Sequence, residues 1–298
     1  MAIDKFIITI FCLVVDMLDE ILKDKKLRQR GPAPKLHDAY VITMEIVGEF
    51  LGYDTDKGIH QYFKTHWIHF FPNIGDRTAF VRQAANLWNI KQVIRDYLLK
   101  ILSNDADMTR IIDGFPIPIC NFKRAHFSKN FKEIAGYGFC AAKNQTYYGF
   151  RGHLLINSEG TIVDLTVAAA NIDEREAIFE MSSSIPKDLL GDKGYICNEV
   201  KKEELLNEGI NLQTPLKSNM QDDRSPIVVK EMNKTRRLIE TVIGQLSERF
   251  NIEKVRARDQ WHLTIRIGRK ILAHTMAKFL NKLMGHNDLQ FDRLVTVL

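Results

Sequence analysis

Cysteine is scarce in this chain. There are four in 298 residues: Cys12, Cys120, Cys140 and Cys197. No two form a C-x-x-C pair and none stands at zinc-ligand spacing with histidine, which excludes zinc ribbons and fingers and argues against a disulfide-stapled scaffold. The expectation is reduced, mostly buried thiols in a cytoplasmic protein. Long apolar runs are also missing. The stretch "FIITIFCLVV" at 6–15 is too short to span a membrane. It lacks the basic flank and small-residue cleavage site of an export signal. Acidic residues follow it (Asp16, Asp19, Glu20), so it reads as the buried face of a helix. Neither charge dominates: the net charge is +5. That balance argues only weakly for a nucleic-acid partner. There is no internal repeat and no low-complexity segment.

What is present is enough apolar sequence for a substantial core, 45% of residues, in one large domain or two ordinary ones. Two halves differ in pattern. Up to residue 104 the periodicity is helical: "DMLDEILKDKKL" sets Met17, Leu18, Ile21 and Leu22 on one face, "HDAYVITMEIVGEFLGY" runs to a stop near Gly52, and residues 79–102 read as one helix capped by Asp76 or Thr78. "RGPAPKL" breaks the pattern between the first two. From 105 to 298 short apolar runs alternate with helices. "MTRIIDG" reads as a short strand, "YYGFRGHLLINSEGTIVDLTVAAA" as two strands around a turn, and "DLLGD" and "INLQTPL" as further strands. Helices are expected over "DEREAIFEMSSSI" with Asp173 as cap, over "CNEVKKEELLNEG", and at about 231–250 and 262–284. The order is that of a mixed α/β domain.

Two of the strands deliver an aspartate at the end of an apolar run. In "RIIDGFPIPIC" it is Asp113, followed by Gly114; in "KDLLGDKGY" it is Asp192, with Gly194 two residues on. Glycine lets the chain turn away and leaves room at the carboxylate. A third acid, Glu240, borders the apolar face of Leu238, Ile239, Val242, Ile243 and Leu246, one turn after Arg236. Three converging carboxylates repel unless a cation holds them, and an all-oxygen ligand set suits Mg²⁺ or Mn²⁺. Such a cluster is used for in-line displacement at a phosphodiester, where two ions serve the attacking and leaving oxygens. Taken singly, each acid also reads as a turn residue or a surface ion pair.

Together, "IIDGFPIPIC", "YYGFRGHLLINSEGTIVDLTVAAANIDER", "LLGDKGY" and "RRLIETVIGQL" resemble the DDE transposases of bacterial insertion sequences, and are similar to the insertion-sequence family numbered nine-eight-two. The resemblance covers about residues 105–250 and extends loosely to "FFPNIGDRTAFVRQAANLW". It implies an α/β, ribonuclease H-like mixed sheet flanked by helices, behind an N-terminal all-helical domain. It also implies that Asp113, Asp192 (after a fourth strand) and Glu240 are the catalytic metal ligands. By the same resemblance, water and then a 3′-hydroxyl attack DNA, two Mg²⁺ or Mn²⁺ ions are held, and two terminal inverted repeats and target DNA are partners. A homodimer and a bacterial, nucleoid-associated location in the cytoplasm are implied too. Asn233 and Ser247 stand where hairpin-forming relatives carry Tyr and Lys, and Gly114 stands where the family often has Ser.

Residues 1–104 are expected to bind DNA ends and 105–298 to carry the chemistry. Candidate phosphate contacts are Lys143, Arg151, His153, Lys193 and Arg236 near the motifs. His153 also reads as a packed strand residue. Arg256 and Arg258 lie in the basic run "KVRARDQWHLTIRIGRK", where Trp261 is either part of a phosphate-tracking surface or core. "LKSNMQDDRSPIVVKEMNKTRR" at 216–237 is expected to be a loop near the site. An aspartyl-phosphate phosphatase is disfavoured, because Phe115 and Ile196 stand where it needs aspartates. A non-catalytic DNA-binding relative is the alternative function.

Overall fold

The computed structural model describes residues 1–23, 25–28, 30–217 and 219–296. In chain order the elements are α1 (Ile3–Leu22), α2 (Asp38–Phe50), α3 (Asp56–His66), α4 (Arg77–Asn86) and α5 (Trp88–Leu102), then β1 (Thr109–Asn121), β2 (Gly136–Cys140), β3 (Gln145–Asn157) and β4 (Ile162–Ala169). They continue with α6 (Glu176–Glu180), β5 (Asp188–Leu190), α7 (Glu199–Asn207), β6 (Asn211–Gln213), α8 (Pro226–Glu248) and α9 (Gln260–Leu283). Short 3₁₀ turns lie between several of them. The chain divides into two compact units: 1–102 with 246–298, and 103–245. Residues 246–298 thus fold with the N-terminal helices and not with the sheet, unlike the expected division at 104/105. The boundary falls inside α8.

The helical unit is built on α9, which packs against α2 and α5. Caps fix where its helices start: Thr55 Oγ1 accepts from the Gly58 amide at 3.0 Å and Asp76 Oδ1 from the Ala79 amide at 2.7 Å, each meeting one orphan N–H. The stretch read as one helix over 79–102 is two, broken at Leu87, and α3 has no counterpart in the sequence reading. The end of the basic run does not face solvent. Arg269 and Lys270 are buried, with Arg269 Nε 2.6 Å and Lys270 Nζ 2.7 Å from the two oxygens of Glu49. Lys91 Nζ lies 2.7 Å from Glu45, and Arg269 Nη1 2.5 Å from Asp56. This ion network replaces apolar packing between α2, α5 and α9.

In the sheet unit the strand order is β2-β3-β1-β5-β6, with β4 pairing β3 beside β2. β3 is the organiser. One edge pairs antiparallel with β1; the other pairs with β2 over Gln145–Gly149 and with β4 over Phe150–Ile156. β5 pairs in parallel with β1 and with β6. Beneath one face, Ile112, Leu155 and Leu189 pack with Ile178, Leu205 and Tyr195 in a closed core. β2 is absent from the sequence reading because glycines at 136 and 138 hide its period. The first strand is far longer than expected. Asp113 lies inside it and not at its tip, because the chain runs on through Pro116 and Pro118 to Asn121. Beyond Ile111, β1 keeps only β3 as neighbour, and a strand paired on one side tolerates prolines that a central strand would not. Asp173 does not cap α6: its Oδ1 accepts from the amide of Arg175, before the helix begins.

The buried network yields a stability prediction. Glu49→Ala leaves the buried Lys270 without its acid and Arg269 with only Asp56 and Glu45, and is expected to cost about 3–5 kcal/mol. Urea unfolding of the wild type and the variant measures it.

Candidate active site

The register of β1 against β5 brings two aspartates together. Ile111 is the Cα partner of Leu190. Asp113 is two residues beyond Ile111 and Asp192 two beyond Leu190, and both strands run the same way. Parallel neighbours lie about 4.8 Å apart, so the two acids leave the paired segment side by side. Asp113 stays in β1, which continues, with its Oδ1 accepting from the Gly114 amide at 2.7 Å. Asp192 follows the end of β5, which is the fifth strand and not the fourth. Its Oδ1 caps the 3₁₀ turn of Lys193–Tyr195, accepting from the Gly194 amide at 2.6 Å.

Glu240 comes from α8 and meets this pair through Arg236. The guanidinium lies 2.7 Å from Glu240 Oε1 and 4.0 Å from Asp113 Oδ2. One cation therefore bridges two of the three acids. Asp113 feels all of them: burial first, then Asp192 and Glu240, push its carboxyl up to about 6 against the opposing Gly114 amide and Arg236. Asp192, Lys193, Asn233 and Arg236 line a recess of about 410 Å³ that Leu216 and Asp222, from the 216–237 segment, also border. Among the described residues no three His, Cys, Asp or Glu side chains are clustered tightly enough to form a finished ligand set. The donor chemistry nonetheless fits a hard divalent ion, since all three groups are carboxylates, and a positive group already stands between two of them.

The remaining candidates separate. His153 is 1% exposed. Its Nδ1 is hydrogen-bonded to the Tyr195 hydroxyl at 2.8 Å, and burial, with a smaller push from Arg151, lowers it to about 4. It is a neutral core group and presents nothing to DNA, which corrects its place among the phosphate contacts. Lys193 is exposed in the recess. Arg151 pairs with Glu174 and lies beside Gly114, where an added Cβ would stand 3.4 Å from its Cδ. Lys143 is exposed in the β2–β3 turn. Arg256 and Arg258 are exposed in the helical unit, Arg256 at 3.2 Å from Asp54. Two further residues belong to the site. Tyr195 lies under both aspartates, and burial followed by Asp113 and Asp192 holds its phenol protonated. Glu174 shares with Asp192 the space above Gly194. Tyr195 stands in the quoted "LLGDKGY" and Glu174 in the quoted run that ends "AAANIDER", though neither is singled out there.

The family described as "transposase DDE domain" matches residues 103–260. No curated protein matches the chain. No helix among the described residues is long and apolar enough to cross a membrane.

The raised carboxyl of Asp113 sets a sign. A group that binds its proton more tightly when folded makes stability fall as pH rises between the two pKa values. Metal-free Asp113→Asn, which carries no charge, is therefore expected to gain on the wild type as pH rises from about 4 to 6, by up to about 3 kcal/mol for a shift to about 6. Thermal unfolding of both proteins across that range, in chelator, checks it.

Proposed function

Because this chain belongs to the transposase DDE-domain family, we propose that it cuts DNA strands at the ends of an insertion sequence and joins the freed 3′-ends to target DNA. The sheet unit is then a ribonuclease H-like catalytic domain, and its mixed sheet with flanking helices supports that reading. The observation that carries the proposal is the convergence of Asp113 and Asp192 from adjacent parallel strands, with Glu240 tied to the same point through Arg236.

Asp113, Asp192 and Glu240 would hold Mg²⁺ or Mn²⁺. Two such ions, when bound, activate the attacking oxygen and stabilise the leaving one. The chain's own residues supply the rest. Asp113 enters the site from a strand locked on one side by β3, so its position is set by the sheet and not by a loop. Asp192 is oriented by the Gly194 amide. Lys193 and Arg236 border the recess beside the acids, where a phosphate would be met by two cations. No side-chain nucleophile is required, because the attacking group is water in cleavage and a DNA 3′-hydroxyl in joining. Tyr195 and His153 lie beneath the site as a neutral hydrogen-bonded pair and keep charge away from its floor.

The helical unit is proposed to recognise the terminal inverted repeats, and a homodimer to hold two ends together. Both follow from the family.

The test is a labelled duplex carrying the flanking element end, incubated with Mg²⁺ or Mn²⁺. Wild type is expected to nick at the element boundary; Asp192→Ala and Glu240→Gln are expected to bind the duplex and fall to background cleavage. Binding without cleavage by the wild type under either metal would put a non-catalytic DNA-binding relative in place of the enzyme.

A further inference from the structure

The helical unit carries an aromatic recess that strand chemistry does not use. Trp88 opens α5 and Trp261 is the second residue of α9. Each is 48% exposed, and their rings meet edge-on at 5.6 Å. They wall a recess of about 290 Å³ with Gln92, Thr264, Ile265 and Gly268. An added Cβ at Gly268 would meet nothing within 4 Å, so that wall is low. Beneath lie the buried side chains of Lys91 and Arg269, both fixed in the ion network. Tryptophan in a folded protein is mostly covered, and two half-exposed indoles sharing one cavity form an apolar patch of the kind that marks a binding surface. The volume is at the small end of ligand recesses, about 300–1,000 Å³, which suits one flat ring system.

The segment that leads into Trp261 is cationic. The segment entering α9 exposes Lys254, Arg256 and Arg258. Arg256 is paired with Asp54; Lys254 and Arg258 have no ion-pair partner among the described residues. Asp259 is the one acid between Lys254 and Trp261, and it is engaged in capping α9 and in its contact with His262. Basic groups beside open aromatic rings are what single-stranded nucleic acid requires: cations for the phosphates and π-faces for the bases. A second copy of the chain fits less well, because a two-fold contact sets a patch against itself and would place this cationic segment against its own copy.

We propose that the Trp88–Trp261 recess stacks an unpaired base of a DNA strand whose phosphates run along Lys254, Arg256 and Arg258. The inference rests on the reading of this chain as a DNA-processing protein and adds to it a site for unpaired DNA outside the carboxylate centre.

The test uses full-length protein in chelator, so that no strand is cut, with two probes: fluorescein-labelled oligo-dT and a fully paired duplex. Trp88→Ala and Trp261→Ala are each expected to bind oligo-dT about tenfold more weakly than wild type, the loss of one stacked base, with duplex affinity unchanged. Trp261→Phe, which keeps a ring, is expected to retain most of the affinity and guards against misfolding of the alanine variants. Equal affinity of wild type and both alanine variants for oligo-dT overturns the proposal. So does an equal loss on both probes, or a change of oligomeric state by light scattering with oligo-dT binding intact, which would assign the recess to contact between copies. Wild type that binds neither probe removes the DNA reading itself, and this inference with it.

Discussion

The parallel pairing of β1 with β5 is the constraint from which the site follows. It extends over three residues of each strand, Thr109–Ile111 against Asp188–Leu190. Its register decides what stands beyond it. A shift of one residue would turn one aspartate to the opposite face of the sheet and end the alignment of Asp113 with Asp192. The register is held by burial. Ile111, Ile112 and Leu189 are fully covered, and Leu190 is nearly so, so slipping the strands would carry apolar side chains toward water. The carboxylates are thus placed by hydrophobic groups that carry no ligand atom.

Placing like charges together has a cost that the surroundings meet in part. Asp113 is raised by its burial and by the other two acids, and Arg236 and the Gly114 amide oppose that rise. The helical unit answers the same problem differently. There Glu45, Glu49 and Asp56 are matched by Lys91, Arg269 and Lys270 within the core, every acid in direct contact with a cation. The contrast is informative. The charges of the helical unit are closed on themselves and serve architecture, whereas in the sheet unit one guanidinium serves Asp113 and Glu240, and the three acids retain a negative field that a divalent ion would satisfy.

Much of this site was legible in the sequence, because its three acids sit in short segments of strong character: apolar residues running into Asp113 and Asp192, and an amphipathic helix carrying Glu240 behind Arg236. The extent of β1 was not legible. Gly114, Pro116 and Pro118 are turn formers by local rule, and only the one-sided pairing of that stretch explains why they lie in a strand. The fate of Arg269 and Lys270 was hidden as well, since the acid that buries them lies 220 residues earlier in the chain. The pairing of His153 with Tyr195 spans 42 residues and likewise has no local trace. Local pattern marked the candidate residues; long-range pairing determined which of them are covered.

The central claim is that Asp113, Asp192 and Glu240 form one cation site. Crystals of the full-length protein grown with Mn²⁺ test it most directly, since the ion's anomalous scattering locates it independently of any activity. The account predicts anomalous density bounded by all three carboxylates, with oxygens at about 2.0–2.2 Å as for small hard ions. Mn²⁺ found only on other acids, with Arg236 still bridging Asp113 and Glu240 at saturating metal, would contradict it.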